Sequence, residues 1–235
     1  MAGRWDTLTV DDTEMRCYVT TPEGAGPFPA VVVIQHAGGV DAFVQTMTDR
    51  IAEAGYVGIA PDLYHRDDPN SGDDVMARMI RLRDPRITAD VDATIEHLKS
   101  LSDVRTDSIG ITGFCMGGRI AYLIATQSAD VKAAVVFYGG NIMTPWGDGP
   151  PPFDGTGNIK CPVMGLFGGD DGNPNPEDVA KLDAELTKFS IVHEFHSFAG
   201  AGHAFMSEGR PSYRQDAAAD AWPKCVGWFD RYLKT

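Results

Sequence analysis

Gly113-Phe114-Cys115-Met116-Gly117 has the form glycine, any residue, nucleophile, any residue, glycine. It follows a strand-like segment (107–112) and precedes a helix-like segment that runs to about Gln127. In that context the pattern makes a nucleophile elbow. Small residues two positions to either side let the backbone turn tightly, and the central side chain is lifted above the sheet. The nucleophile here is a thiol. A thiol becomes reactive as its thiolate, which a histidine or a helix N-terminus favours, and Cys115 has both opportunities. The N–H of Met116 then points to where a carbonyl oxygen would become negative. Taken alone, the five residues read equally well as a buried cysteine between packing glycines.

The order of the partners separates those readings. A strand-like run (162–167) ends at Gly168-Gly169-Asp170-Asp171, and the next (191–198) ends before Ala199-Gly200-Ala201-Gly202-His203. Nucleophile, acid and histidine in that order, each after a strand, is the arrangement of α/β-hydrolases. A Cys115–His203–Asp171 triad is therefore expected. Asp171 is favoured because the turn from Gly168 leaves its side chain length to reach the imidazole, and Asp170 is the alternative. His193 and His196 fall inside the strand-like run and read as strand histidines. A second oxyanion donor should come from the loop Gln35-His36-Ala37-Gly38-Gly39, with the N–H of Ala37 as the candidate.

The elements that must position these groups alternate along the chain. Strands are predicted over 15–20, 30–34, 56–60, 107–112, 133–137, 162–167 and 191–198. Ala30-Val31-Val32-Val33-Ile34 is continuously apolar, as a strand covered on both faces requires. Helices are predicted over 42–54, 88–99, after the elbow to about Gln127, from Asn175 onward, and 215–233. Arg78, Arg81, Arg83 and Arg86 fall in a further short helix and its exit. Asn175 can cap its helix, Pro176 suits the first turn, and Glu177 and Asp178 favour the positive end of the dipole. Alternation of strand and helix means parallel strands with crossover helices. The expected fold class is α/β: an α/β-hydrolase fold, a mostly parallel sheet with helices on both faces. Residues 1–235 are expected to form one domain. The run 141–158, rich in proline and glycine, is expected as a site-lining loop or slack.

Composition narrows the partners. The chain has 235 residues, 43% of them hydrophobic and 23% charged, which excludes a disordered or collagen-like chain. Asp plus Glu is 33 against 20 Lys plus Arg, a formal charge of -13. Such a surface repels phosphate backbones and anionic lipid, so neither nucleic acid nor membrane is an expected partner. An anionic substrate would need a local cationic pocket. The start of the sequence has no basic segment followed by an apolar run, so no signal peptide is expected, and no stretch approaches a membrane span. Cys17, Cys115, Cys161 and Cys225 are widely spaced, which argues against a zinc site or a disulfide scaffold. A cytoplasmic protein with free thiols, monomeric or a small homo-oligomer, is the expectation.

These residues resemble the dienelactone hydrolases over nearly the whole chain. The likeness is carried by Gln35-His36-Ala37-Gly38-Gly39-Val40, Ala60-Pro61-Asp62-Leu63-Tyr64, Gly113-Phe-Cys-Met-Gly-Gly-Arg119, the turn to Asp171, and Gly200-Ala-Gly-His203-Ala-Phe205. The cysteine elbow followed by Gly-Gly-Arg is the specific part. The resemblance implies an α/β-hydrolase with a Cys115–His203–Asp171 triad, no metal and no cofactor, and a small ester or lactone as substrate. It also implies two departures. The family pattern has a glutamate where this chain has His36, which reads either as a hydrogen-bonded strand-end residue or as a substrate contact. The family's carboxylate-binding arginine after the histidine is not at the matching place, where the run is His203-Ala-Phe-Met-Ser207 and the nearest arginine is Arg210. Arg78 or Arg81 could supply the other family arginine, and Tyr138 and Phe205 could wall the pocket. The alternatives to ester hydrolysis are cleavage of carbon–carbon or carbon–halogen bonds, or non-catalytic binding on the same fold.

Overall fold

The computed structural model describes residues 3–68 and 70–235. Its strands are β1 (Arg4–Val10), β2 (Thr13–Thr20), β3 (Phe28–Ile34), β4 (Val57–Pro61), β5 (Val104–Phe114), β6 (Val131–Phe137), β7 (Val163–Gly168) and β8 (His193–Phe198). They form one sheet in the order β1-β2-β4-β3-β5-β6-β7-β8. β2 pairs antiparallel with β1 and β4, and all other pairs are parallel. The helices are α1 (Ala42–Glu53), α2 (Val75–Met79), α3 (Asp84–Ser100), α4 (Met116–Gln127), α5 (Pro176–Lys188) and α6 (Gln215–Leu233). No described helix is long and apolar enough to cross a membrane.

The two cores follow from the period of two along each strand. In β3, Ala30, Val32 and Ile34 pack with Ile87, Val91, Ile95 and Leu98 of α3, Ile120 and Ile124 of α4, and Leu182 and Leu186 of α5. Val31 and Val33 point the other way, toward Val44, Met47 and Ile51 of α1 and Ala221, Cys225 and Phe229 of α6. The central strands are therefore apolar on both faces. Three elements differ from the sequence expectation. β1 was not anticipated, because its side chains are largely exposed or half-buried at the sheet edge and leave no apolar run. α3 begins at Asp84 rather than Thr88, with Pro85 in its first turn where no N–H is needed. Residues 141–158 are not slack: they include a 3₁₀ turn (Pro152–Asn158), held to α4 by a 2.7 Å bond between the Tyr122 and Thr156 hydroxyls.

Arg119, wholly buried in α4, ties that loop to α3. Its NH1 and NH2 donate to Asp84 Oδ1 at 2.6 Å and Oδ2 at 3.0 Å. Its remaining N–H groups donate to the Asn141 and Thr144 carbonyls at 3.1 and 2.6 Å, and its plane lies 4.0 Å from the Trp146 ring centroid. Removing one member of such a pair leaves an uncompensated buried charge. Arg119→Met is expected to cost about 3–5 kcal/mol in urea unfolding. A loss below about 1 kcal/mol, the value for an exposed pair, would contradict this account.

Candidate active site

Cys115 stands between β5 and α4 with φ 60° and ψ -120°, a left-handed conformation that a non-glycine residue holds only under constraint. The constraint is close approach. A Cβ on Gly113 would overlap the Gly117 carbonyl, and one on Gly117 would lie 2.5 and 2.6 Å from the Ile34 and Gln35 oxygens. The Cys115 N–H donates to the Phe137 carbonyl at 3.1 Å, and its own carbonyl accepts from Gly118 and Arg119 at 3.0 and 3.3 Å. The backbone is thus held at both ends while the sulfur remains half-buried at the positive end of α4.

Asp171 is buried where β7 ends. Its Oδ2 lies 2.9 Å from His203 Nδ1, and its Oδ1 accepts from the Asn173 N–H at 2.8 Å. Asp170, the alternative acid, is exposed and makes no side-chain hydrogen bond among the described residues. Gly168 permits the approach, since a Cβ there would lie 2.5 and 2.7 Å from the Ala201 and Gly202 carbonyl oxygens. Burial of His203 works against the imidazolium. The hydrogen bond to Asp171, the proximity of the Cys115 sulfur and the charge of the carboxylate outweigh it and push the ring's pKa up to about 10. Tyr138, itself at φ 38°, packs edge-on against that ring with centroids 5.2 Å apart.

The loop after β3 is clamped from two sides. The Tyr64 hydroxyl donates to the Ala37 carbonyl at 2.9 Å and lies 3.6 Å from Met116 Sδ. It joins the two residues whose amides are the candidate oxyanion donors. His36 Nε2 is 2.8 Å from Asp41 Oδ2, and its Nδ1 accepts from the Gly38 N–H at 3.3 Å. Asp41 also caps α1 through the Phe43 and Val44 N–H groups. Both nitrogens of His36 are therefore engaged within the loop, although the ring lines the Cys115 cavity.

That cavity, about 180 Å³, is lined by Cys115, His203, His36, Ala37 and Gly38, together with Phe43, Val75, Tyr138 and Arg210. Five sequence-predicted substrate contacts separate here. His36 and Tyr138 line it. Phe205 does not: it is wholly buried, packed between Tyr138 and Phe198 at 5.1 and 5.2 Å. Arg78 and Arg81 line a different cavity of about 260 Å³ and share the carboxylate of Asp67 at 3.2 and 3.1 Å. Arg78 instead lies with its guanidinium 4.1 Å from the Tyr64 ring centroid, an arrangement that residue spacing could not reveal. The arginine that lines the Cys115 cavity is Arg210. A turn closed by the Arg210 N–H on the Ser207 carbonyl at 3.2 Å brings it back, and Gly209 at φ 81° was the local signal for it. Tyr64, quoted only as part of a motif, is a further neighbour of this site that sequence reasoning did not single out.

A mostly parallel sheet with a strained elbow, and a histidine and an acid on later loops, defines an α/β-hydrolase. The model of the dienelactone hydrolase family matches residues 15–233. A Synechocystis protein named provisionally as a carboxymethylenebutenolidase is 34% identical over 97% of this chain and 96% of its own. A Yersinia pestis protein with the same provisional name is 34% identical over 96% of this chain and 87% of its own. The crystal structure of a protein from Klebsiella pneumoniae, named provisionally as a dienelactone hydrolase, superposes with a TM-score of 0.90 at 30% identity, covering 99% of this chain and 100% of that one. The chain belongs to the dienelactone hydrolase family and is a carboxylic ester hydrolase.

The raised pKa of His203 has a definite sign. Its contribution to stability is fully present below about 6.5 and is lost as pH rises through about 10. An NMR titration is expected to find the ring protonated through neutral pH, with Asp171→Asn lowering the midpoint and Asp170→Asn leaving it in place. A wild-type midpoint at the ordinary histidine value would remove the pairing.

Proposed function

We infer that the protein hydrolyses a small carboxylic ester or lactone by covalent catalysis at Cys115, within one α/β-hydrolase domain that spans the chain. His203, protonated through neutral pH, stands as the imidazolium partner of the attacking thiolate, and Asp171 holds the ring in position and favours its charged form. The thiolate attacks the carbonyl carbon, and the Met116 and Ala37 amides receive the oxyanion. As the tetrahedral intermediate collapses, His203 gives its proton to the leaving oxygen and a thioester remains. Water deprotonated by His203 then releases the acid and restores the thiolate. In a lactone the leaving alcohol stays on the product, so one ring opens and nothing departs. The relatives named as carboxymethylenebutenolidases support a lactone among the substrates. Arg210, on the same cavity as the thiol, is suited to orient an anionic substituent close to the scissile bond.

The observation that carries this reading is the 2.9 Å bond from Asp171 to His203, a ring that lines the same cavity as Cys115. The other thiols are poorly placed to compete. Cys17, Cys161 and Cys225 are buried, and burial pushes Cys17 and Cys161 up to about 12 and Cys225 higher still. Brief treatment with iodoacetamide is expected to label Cys115 alone. Cys115→Ala should abolish turnover of 4-nitrophenyl acetate and, in intact-mass spectra, the acyl adduct that the wild type forms. Equal labelling of the four thiols, or undiminished turnover by the variant, would overturn the assignment.

A further inference from the structure

Phe43 lines two cavities. It borders the Cys115 cavity and also a groove of about 450 Å³ between α1 and α6. Met47, Met206 and Tyr213 make the groove's apolar walls, Glu208 stands on its rim, and Arg50 completes it. Phe43, Met47 and Arg50 are related as i, i+4 and i+7, so they form one stripe along α1 that leads away from the thiol. Seven residues of helix rise about 10 Å, which sets the distance from the threshold at Phe43 to the guanidinium's anchor point.

Arg50 is the cation of the groove. It is half-buried, with its plane 4.2 Å from the Trp222 ring centroid and NH1 at 4.0 Å from Met47 Sδ. Among the described residues no carboxylate pairs with it. Burial lowers its pKa, and Glu53 and Glu208 oppose that only through space. A guanidinium fixed on an aromatic face, with its fork unpaired and an apolar groove in front, matches a carboxylate on an apolar arm. The Cys115 cavity, at about 180 Å³, is small beside typical ligand sites of about 300–1,000 Å³, so a longer substrate must continue elsewhere.

We propose that the α1–α6 groove is the distal subsite of the same active centre, and that it takes an apolar arm ending in a carboxylate, which Arg50 holds while the ester carbonyl sits on Cys115. Phe43 is the threshold the arm crosses. Arg210 meets a charge next to the scissile bond, whereas Arg50 meets one some six to eight atoms away. The proposal rests on the hydrolase reading and extends its substrates to the monoesters of medium-chain dicarboxylic acids.

The test compares mono-(4-nitrophenyl) esters of butanedioic, hexanedioic and octanedioic acid with the neutral butanoate, hexanoate and octanoate esters. In Arg50→Gln, the preference in kcat/KM for the octanedioate over the octanoate ester should fall about 10- to 100-fold through KM, and the preference for the butanedioate over the butanoate ester should not. Arg50→Lys, which keeps the charge and loses the fork, should fall between the two. A loss that is the same at every chain length, or the same for charged and neutral esters, would overturn the subsite. If no ester is turned over by the wild type, the hydrolase reading fails first. Calorimetric titration with octanedioate then decides this proposal separately: binding weakened in Arg50→Gln supports it, and equal or absent binding in both proteins overturns it.

Discussion

The site depends on how closely the start of α4 approaches β3 and β5. Gly113 and Gly117 leave no room for a Cβ, and that contact forces Cys115 to a positive φ. Strain of this kind persists only when the surroundings over-determine it. Here they do so through three backbone hydrogen bonds around Cys115 and through the burial of both flanking elements. The consequence is electrostatic as well as steric. The sulfur is carried to the amide end of a helix, with the first-turn N–H groups facing it.

The histidine and acid are brought in by the same device at the next strands. Gly168 allows the end of β7 to touch the loop after β8, and Asp171 is buried with both of its oxygens engaged. The buried carboxylate and the neighbouring Cys115 sulfur together outweigh the desolvation of the ring, so the pKa of His203 is pushed up to about 10. On the other side, Tyr64 and His36 fix the loop of Ala37 without presenting a free charge to the cavity. His36 at this position is therefore a clamp joined to the cap of α1. It couples the loop to the very helix whose outer stripe carries Phe43 and Arg50.

Much of this was legible in the residues. Continuous apolar runs marked the central strands because parallel strands are covered on both faces. The Gly-x-Cys-x-Gly spacing marked the elbow because only small residues fit there. The order of Cys115, Asp171 and His203 marked their convergence because strand ends in such a sheet share one edge. Edge strand β1 escaped because half-exposed side chains leave no hydrophobic pattern. The arginines were the harder case. Arg78 and Arg81 stood in a suggestive row and turned to Asp67, while Arg210 arrived by a turn whose direction no periodicity encodes.

Sequence by itself determined the family, the α/β class, the elbow at Cys115 and the order in which Asp171 and His203 follow it, because each rests on local backbone geometry or on spacing along the chain. Tertiary structure alone decided which aspartate meets His203, that Phe205 belongs to the core, which arginine faces the thiol and where Arg50 ends. Those outcomes depend on through-space distances and burial, and electrostatic pairing in a folded chain is set by what packing brings within a few ångströms rather than by separation in sequence.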